Sequence, residues 1–208
     1  MNSGKKKILF LLYSLDLGGV EKSFTSFLSE ILHCSCDIHI GLVCPKGELL
    51  SLIPTNVKIH TINDISEHWD ELKRSPLFVI TNYFKTGLIL RAIVAFFVYV
   101  CYKIWKHSSW WIQYILRNAK GINESFDIAI AYAGPAADLD YYLCHKIKSK
   151  EKYGWVHFDV SKFGVDKSII KKLYKQYKYV FCCNGEAMKN ILLQHEKIKA
   201  IFMEASWI

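Results

Sequence analysis

No aspartate or glutamate occurs between Leu72 and Asn123, yet this stretch holds eight bases: Lys73, Arg74, Lys85, Arg91, Lys103, Lys106, Arg117 and Lys120. The net charge of +8 is therefore local, because the remainder carries 19 bases and 19 acids. Four prolines and 11 glycines in 208 residues exclude collagen-like and low-complexity character. No internal repeat divides the chain, and no linker of shifted composition does. Long apolar runs are also missing. Arg91 and Lys103 enclose only 11 uncharged residues, where a spanning helix needs about 20. Behind the opening lysines the apolar run is too short for a secretory leader, and no small-residue cleavage site follows. The seven cysteines are odd in number and lack the spacing of a disulfide framework. The expectation is a protein of a reducing cytosol.

The sequence does contain a regular alternation of short apolar runs and helical spacings. Ile8–Tyr13 is a lysine-led apolar run of the kind buried on both faces of a parallel sheet. Val20–Leu32 follows with Phe24, Phe27, Leu28 and Ile31 on one helical face. Asp37–Val43 and Val57–Ile62 read as strands, with a short helix over Gly47–Ile53 between them. Leu77–Thr81 is expected to add a strand, Gly87–Lys106 a long apolar helix, and Trp110–Leu116 a shorter one. Further strands are expected at Asp127–Tyr132, Lys152–His157, Tyr179–Cys183 and Lys199–Met203. Helices are expected at Pro135–Lys148 (with proline in the first turn), Lys167–Tyr177 and Glu186–Gln194. This order specifies an α/β fold: a single Rossmann-like domain over 1–208 with a parallel sheet and a basic, aromatic helical insertion at about 83–120.

Trp105, Trp110, Trp111, Tyr99, Tyr102 and Tyr114 are interspersed with the bases of that insertion. Basic side chains among Trp and Tyr on an apolar body suit an anionic membrane surface. Nucleic acid is the rival partner, because aromatics also stack bases; the dominance of aliphatic residues favours the membrane, and no nucleic acid is expected.

Four places could carry chemistry. Gly18-Gly19, between the first strand and the first helix, allow backbone amides to approach an anion, and the helix dipole favours negative charge there. Paired glycines also serve as a plain tight turn, and Glu21 next to them also reads as a dipole-complementing residue. Trp155-Val156-His157-Phe158-Asp159 ends a strand on the edge where open sheets bind ligands. A histidine there can bond a hydroxyl or move a proton, or simply be structural. Tyr132-Ala133-Gly134-Pro135 is either one wall of a cleft or a turn leading into a helix. His33-Cys34-Ser35-Cys36-Asp37-Ile38-His39 invites a metal, but it has no C-x-x-C pair and no second ligand cluster at zinc spacing. No metal is expected. Asp37 and His39 should share one strand face, with Cys36 on the other. Walker, nucleophile-elbow, H-E-x-x-H and EF-hand patterns are absent.

At these residues the chain resembles the N-terminal domain of family 4 retaining glycosyltransferases, enzymes of GT-B architecture. Five pieces in order carry the resemblance: KKILFLLYSLDLGGVEKSFTSFL, IHIGLVCPKGELLSLIPTNVKIHTI, FDIAIAYAGPAADL, KYGWVHFDVSKFG and YKYVFCCNGEAMKNIL. It implies an acceptor-side half that faces a nucleotide-sugar-binding half. Gly18 and Gly19 would lie against the donor diphosphate, and His157 beside the transferred sugar as the catalytic residue. Asp159 and Gly134 would help shape the acceptor cleft. It also implies transfer with retention, a nucleotide-sugar donor, no cofactor and no metal. The acceptor would be a glycan or lipid-linked precursor of cell-surface polysaccharide, met at the cytoplasmic face of the plasma membrane. The chain departs from the family at Met203–Ile208, where a donor domain would be expected to follow. The expectation is a truncated or split enzyme that needs a separate donor-domain chain, with an inactive remnant or membrane-docking subunit as the alternative.

Overall fold

Neighbouring residues of an extended chain point to opposite faces, and a strand apolar at every position must therefore be covered on both. The computed structural model, which describes residues 4–105, 109–158, 172–183, 185 and 199–202, shows this for β1 (Lys6–Leu12). Leu9 and Leu11 enter one hydrophobic core and Phe10 and Leu12 the other. The second core is closed by Phe24 and Leu28 of α1 (Gly19–Ile31). In β2 (Cys36–Leu42) Ile38, Ile40 and Leu42 extend the α1-side core, and β3 (Lys58–Thr61) is a largely exposed edge strand. A 3₁₀ turn at Glu48–Leu52 stands between those two strands, where the short helix was expected.

Among the described residues, five α-helices lie between β3 and the next strand: α2 (Asn63–Ser66), α3 (Trp69–Lys73), α4 (Pro76–Lys85), α5 (Ile89–Trp105) and α6 (Ser109–Ile115), the last followed by a 3₁₀ turn at Leu116–Asn118. The helical insertion thus begins at Asn63 rather than near residue 83. Leu77–Thr81, expected as a strand, belongs to α4. Ser75 Oγ accepts the Phe78 amide at 3.3 Å and Pro76 opens the first turn, so a side-chain cap and a preset φ favour the helix. The apolar Val79, Ile80 and Tyr83 then face the core at helical spacing. Trp111 Nε1 donates to the Glu71 carbonyl at 3.2 Å, and Tyr114 Oη to that of Arg91 at 3.1 Å. These bonds fix α6 against α3 and α5.

Strand alternation then resumes with β4 (Ser125–Gly134), α7 (Ala137–Lys146), β5 (Lys148–Val156), β6 (Tyr179–Cys182) and β7 (Ala200–Phe202). Pro135 precedes the N-cap Ala136 instead of lying in the first helical turn. β5 starts four residues earlier than its apolar pattern suggests, because Lys148–Lys152 continue the pairing with β4 at a half-exposed end. Of the helix expected at Lys167–Tyr177 the structure describes residues 172–177, of which 172–176 are helical and end in a 3₁₀ turn at Tyr174–Gln176. The helix expected at Glu186–Gln194 lies outside the described residues, as do Asp159 and residues 203–208.

All described strands are parallel, in the order β3-β2-β1-β4-β5-β6-β7. The α/β class and the Rossmann-like sheet expected from sequence are thereby observed. From β1 the chain winds outward through β2 and β3, then returns to β1's other side with β4. That reversal places a topological switch point between β1 and β4, outside whose carboxyl ends such sheets form their crevice.

Candidate functional site

Three loops meet at that switch point. The first turn of α1 supplies Val20 and Glu21, the β4–α7 junction supplies Ala133 and Pro135 to Asp138, and the tip of β5 supplies Phe158. With Tyr13, Lys73 and Ile112 they line a cavity of about 470 Å³. Its walls are mostly apolar, with a few polar groups converging from different elements, as small-molecule sites are built.

Gly18 is the N-cap of α1, and no side chain caps the helix. The Gly18 amide turns back to the Asp16 carbonyl at 2.8 Å, so the first helical amides lead outward without intrahelical partners. A Cβ on Gly19 would have nothing within 4 Å, whereas one on Gly18 would meet only the movable Glu21 carboxylate. The turn therefore leaves open space in front of the helix, as a bound group would require. Neither glycine lines the cavity itself; their neighbours do.

His157 lies just past β5 and its ring turns to the α1 side of the sheet. Nε2 donates to the Tyr132 carbonyl at 2.8 Å, and the ring stacks on Trp155 with an interplanar angle of 12°. Burial lowers its pKa to about 4, partly opposed by the bond to Tyr132. It is thus neutral near pH 7, with Nε2 committed as a donor and Nδ1 facing Cys183 Sγ at 3.8 Å. An imidazole in that state can hold a hydroxyl at Nδ1 but is a poor proton source. Phe158 brings the same strand tip to the cavity, so the glycine turn and the histidine tip border one edge of the molecule.

Gly134 also has a packing role. A Cβ there would come within 2.5 Å of the Trp155 carbonyl oxygen, where the β4–β5 register shifts between Ala131 and Gly134. Its own carbonyl accepts the His157 amide at 3.3 Å. Asp159 lies outside the described residues.

The most polar feature of the cavity was not legible as a site in the sequence. Lys73, counted there only as one of eight bases, lies 2.9 Å from Asp138 Oδ2. That contact is a close ion pair that is not aligned as a hydrogen bond. Lys73 Nζ also lies 4.7 Å from the Tyr13 ring centre and 4.8 Å from that of Trp69. Tyr13 Oη donates to Asp138 Oδ1, and burial, followed by the Asp138 charge, pushes the phenol's pKa well up. Two residues on, the buried Asp140 accepts the Tyr177 hydroxyl at 2.6 Å and the Ala136 amide at 3.0 Å. Burial nevertheless raises its pKa to about 7. The two carboxylates hold the β4–α7 loop from within. The cavity offers two carboxylates, Glu21 and Asp138, against the single ammonium of Lys73, a balance that disfavours an anion and suits a ligand rich in hydroxyl donors.

A second surface lies on α5. Of its 17 residues only Ala92 and Ala95 are fully buried, whereas Leu90 and Phe97 are 76% and 69% exposed. Ile89, Ile93, Val94 and Phe96 extend the same exposed apolar surface, joined by Phe84 of α4. Lys103 sits over the rings of Tyr99 and Tyr102 at 5.7 and 5.8 Å. No helix among the described residues is long and apolar enough to cross a membrane.

No family model matches the chain, and no curated protein does. Among solved structures it is similar to HepE of Anabaena, crystallised in complex with UDP and glucose. The TM-score is 0.49 at 14% identity, covering 95% of this chain and 44% of that one. The chain thus spans less than half the length of that protein, and a likeness of this size carries no functional argument.

Proposed function

We propose that this chain is the acceptor-side half of a retaining, hexosyltransferase-like glycosyltransferase of the family 4 type. Its substrates would be a nucleotide-sugar and a glycan or lipid-linked acceptor of cell-surface polysaccharide, with the donor half supplied by further chain or a separate polypeptide. The observation that carries this reading is the cavity at the β1–β4 switch point. Val20 and Glu21, which follow the glycine pair in the first turn of α1, and Phe158 beside His157 line it together.

Its chemistry supports a sugar. Glu21 and Asp138 can accept hydroxyl hydrogen bonds, Lys73 can donate one, and the Tyr13 and Phe158 rings offer apolar faces to C–H surfaces. The open space at Gly19 lies beside that cavity, where the uncapped amides of α1 would meet the donor diphosphate. Neutral His157, held by Tyr132, would orient a hydroxyl of the transferred sugar through Nδ1. The departing diphosphate would be stabilised by fixed donors, without a metal or other cofactor in the transfer. The exposed face of α5 supports an interfacial position on the cytoplasmic leaflet, where a lipid-linked acceptor would be met.

Saturation-transfer NMR on the 208-residue chain tests the cavity assignment with a panel of hexoses, N-acetylhexosamines and lipid-linked sugars. Transfer to ring protons of at least one sugar is expected, with loss in Glu21→Gln. Failure of every sugar in the panel to receive transfer would remove the acceptor-side reading.

A further inference from the structure

Outside the cavity, the sheet brings together two histidines and a glutamate from three separate stretches of chain. His39 of β2 is fully buried, and its Nδ1 faces His60 Nε2 of β3 at 2.7 Å. Glu124, just ahead of β4, places Oε1 4.0 Å from His60 Nε2. The three ligand atoms all lie within 4.8 Å of one another. We propose that His39 Nδ1, His60 Nε2 and Glu124 Oε1 form a mononuclear site for a divalent transition-metal ion, with zinc the best chemical match.

The surroundings support ligation. The two ring planes lie within 8° of parallel and meet nitrogen to nitrogen, and Phe126 packs edge-on against His39 at 5.2 Å, which fixes the His39 plane. His39 Nε2 lies 3.2 Å from Asp37 Oδ2, off the axis of a full hydrogen bond. A fully buried ring nitrogen left in this state is costly, and a small rotation would complete the bond. Such a carboxylate behind a histidine fixes the tautomer that leaves the opposite nitrogen free for a metal. With Nε2–H directed to Asp37, His39 presents a bare Nδ1. The proton now lying between the rings is then that of His60 Nε2, and it would move to His60 Nδ1 on ligation. Glu124 would use Oε1 for the ion while Oε2 keeps Lys7 Nζ at 2.9 Å.

Geometry sets a modest requirement. Zinc–nitrogen bonds of about 2.0–2.1 Å in a tetrahedron place two nitrogens roughly 3.3 Å apart. The facing nitrogens must therefore separate by roughly 0.6 Å from their present 2.7 Å. His60 is only partly buried and lies on the edge strand, where such movement is cheap. Two imidazoles and a carboxylate select zinc, nickel or copper over the oxygen-seeking magnesium and calcium. His39 lies midway along β2, His60 within β3 and Glu124 just ahead of β4, and none of the three lines the cavity at the switch point. An ion there would pin the four-residue edge strand β3 to β2 and to the start of β4. Sequence spacing conceals the site: the stretch from His33 to His39 supplies one ligand, and the other two come from β3 and β4's approach.

Cobalt(II) and zinc titrations of the chelator-treated chain test the site. One equivalent of cobalt should bind with visible ligand-field bands of tetrahedral intensity, and zinc should displace it and raise Tm. His60→Ala should abolish the bands, and the more exposed Glu124→Gln, which tests the site even where His60→Ala does not fold, should weaken binding at least tenfold. Asp37→Asn should weaken it about 10–100-fold through tautomer control. The Cys34→Ser, Cys36→Ser double variant should bind as the unaltered chain does. No saturable cobalt spectrum, binding unaffected by Glu124→Gln, or binding lost with the two cysteines would each overturn the assignment.

Discussion

His157 Nε2 donates to the carbonyl oxygen of Tyr132 across 2.8 Å, joining the tip of β5 to the strand beside it. The two rings lie 4.7 Å apart, and Tyr132 in turn meets Phe24 at 5.0 Å and Trp155 at 4.6 Å. The histidine is thus the last member of an aromatic stack rooted in the core. Its orientation is set by packing worth about 0.5–1.5 kcal/mol per ring pair and by one charge-neutral hydrogen bond. A side chain so placed is preorganised before any ligand arrives, which is what the proposed role in sugar positioning requires.

The same burial makes a pH prediction. His157 falls to about 4 from 6.5 and Asp140 rises to about 7 from 3.8. The unfolded chain protonates His157 more readily than the fold, so its stabilisation is present above about pH 6.5 and lost as pH falls toward 4. Asp140 acts in the opposite sense, because the fold holds its proton more tightly. Its contribution is full below about pH 3.8 and is lost as pH rises through 7. Each swing is roughly 3–4 kcal/mol, and between about pH 4 and 6.5 they oppose each other. Relative to the unaltered chain, Asp140→Asn should tilt stability upward with pH in that window, and His157→Gln should tilt it downward. Urea unfolding across pH 4–7.5 reads both; profiles parallel to the unaltered chain's would contradict the assignment.

Lys73 and Asp138 give a coupling prediction. Lys73→Met leaves the buried Asp138 with the Tyr13 hydroxyl as its remaining partner. The lysine side chain is 38% exposed, so solvent already screens the pair and the expected loss is about 1–2 kcal/mol. Adding Asp138→Asn should recover most of it, because the uncompensated charge is then gone. A double-mutant cycle by urea unfolding measures the coupling, and additive losses would mean that the two side chains act independently.

The parts of the fold that were readable in sequence are those governed by local pattern. The cores of β1, β2 and β4 are buried on both faces, so each showed as a short, mainly apolar stretch, with ends one or two residues from those observed. Gly18-Gly19 was legible as a pair of small residues between a strand and a helix, although Gly18 has ordinary extended backbone and a Cβ on Gly19 would meet nothing within 4 Å. Leu77–Thr81 misled because a short apolar run has no period of its own to separate strand from helix; the Ser75-Pro76 cap held the answer. Lys73 beside Asp138, and His39 beside His60 and Glu124, were invisible for a different reason. Each joins residues far apart in the chain, and only the strand order brings them together.

The exposed face of α5 should bind anionic vesicles without contributing to the fold. Leu90→Asp with Phe97→Asp changes two side chains that are 76% and 69% exposed, so stability should move by no more than about 0.5 kcal/mol. Flotation with phosphatidylserine-containing vesicles should be lost in that variant. Arg91→Glu with Lys103→Glu should weaken binding by about 1 kcal/mol per removed base, and the difference should shrink as salt rises. Undiminished flotation of the double aspartate variant would move the membrane contact off this helix.

Two glycines of the same edge should respond in opposite ways to one methyl group. Gly134→Ala pushes a Cβ to within 2.5 Å of the Trp155 carbonyl oxygen, a backbone atom in a paired strand that cannot step aside. The register between β4 and β5 must give, at a cost of about 1–3 kcal/mol, and His157 shifts with it because its amide bonds the Gly134 carbonyl. Gly19→Ala meets nothing within 4 Å and occupies a helical first position, so lost unfolded-state freedom should stabilise the chain by about 0.5 kcal/mol. If the space before α1 receives the donor, that more stable variant should also bind a nucleoside diphosphate sugar more weakly in the completed enzyme. Thermal unfolding of both variants, together with donor titration of Gly19→Ala, separates a glycine kept for packing from one kept for a ligand. A Gly19→Ala chain that is stabilised and binds donor with unchanged affinity would leave that turn with a purely structural role.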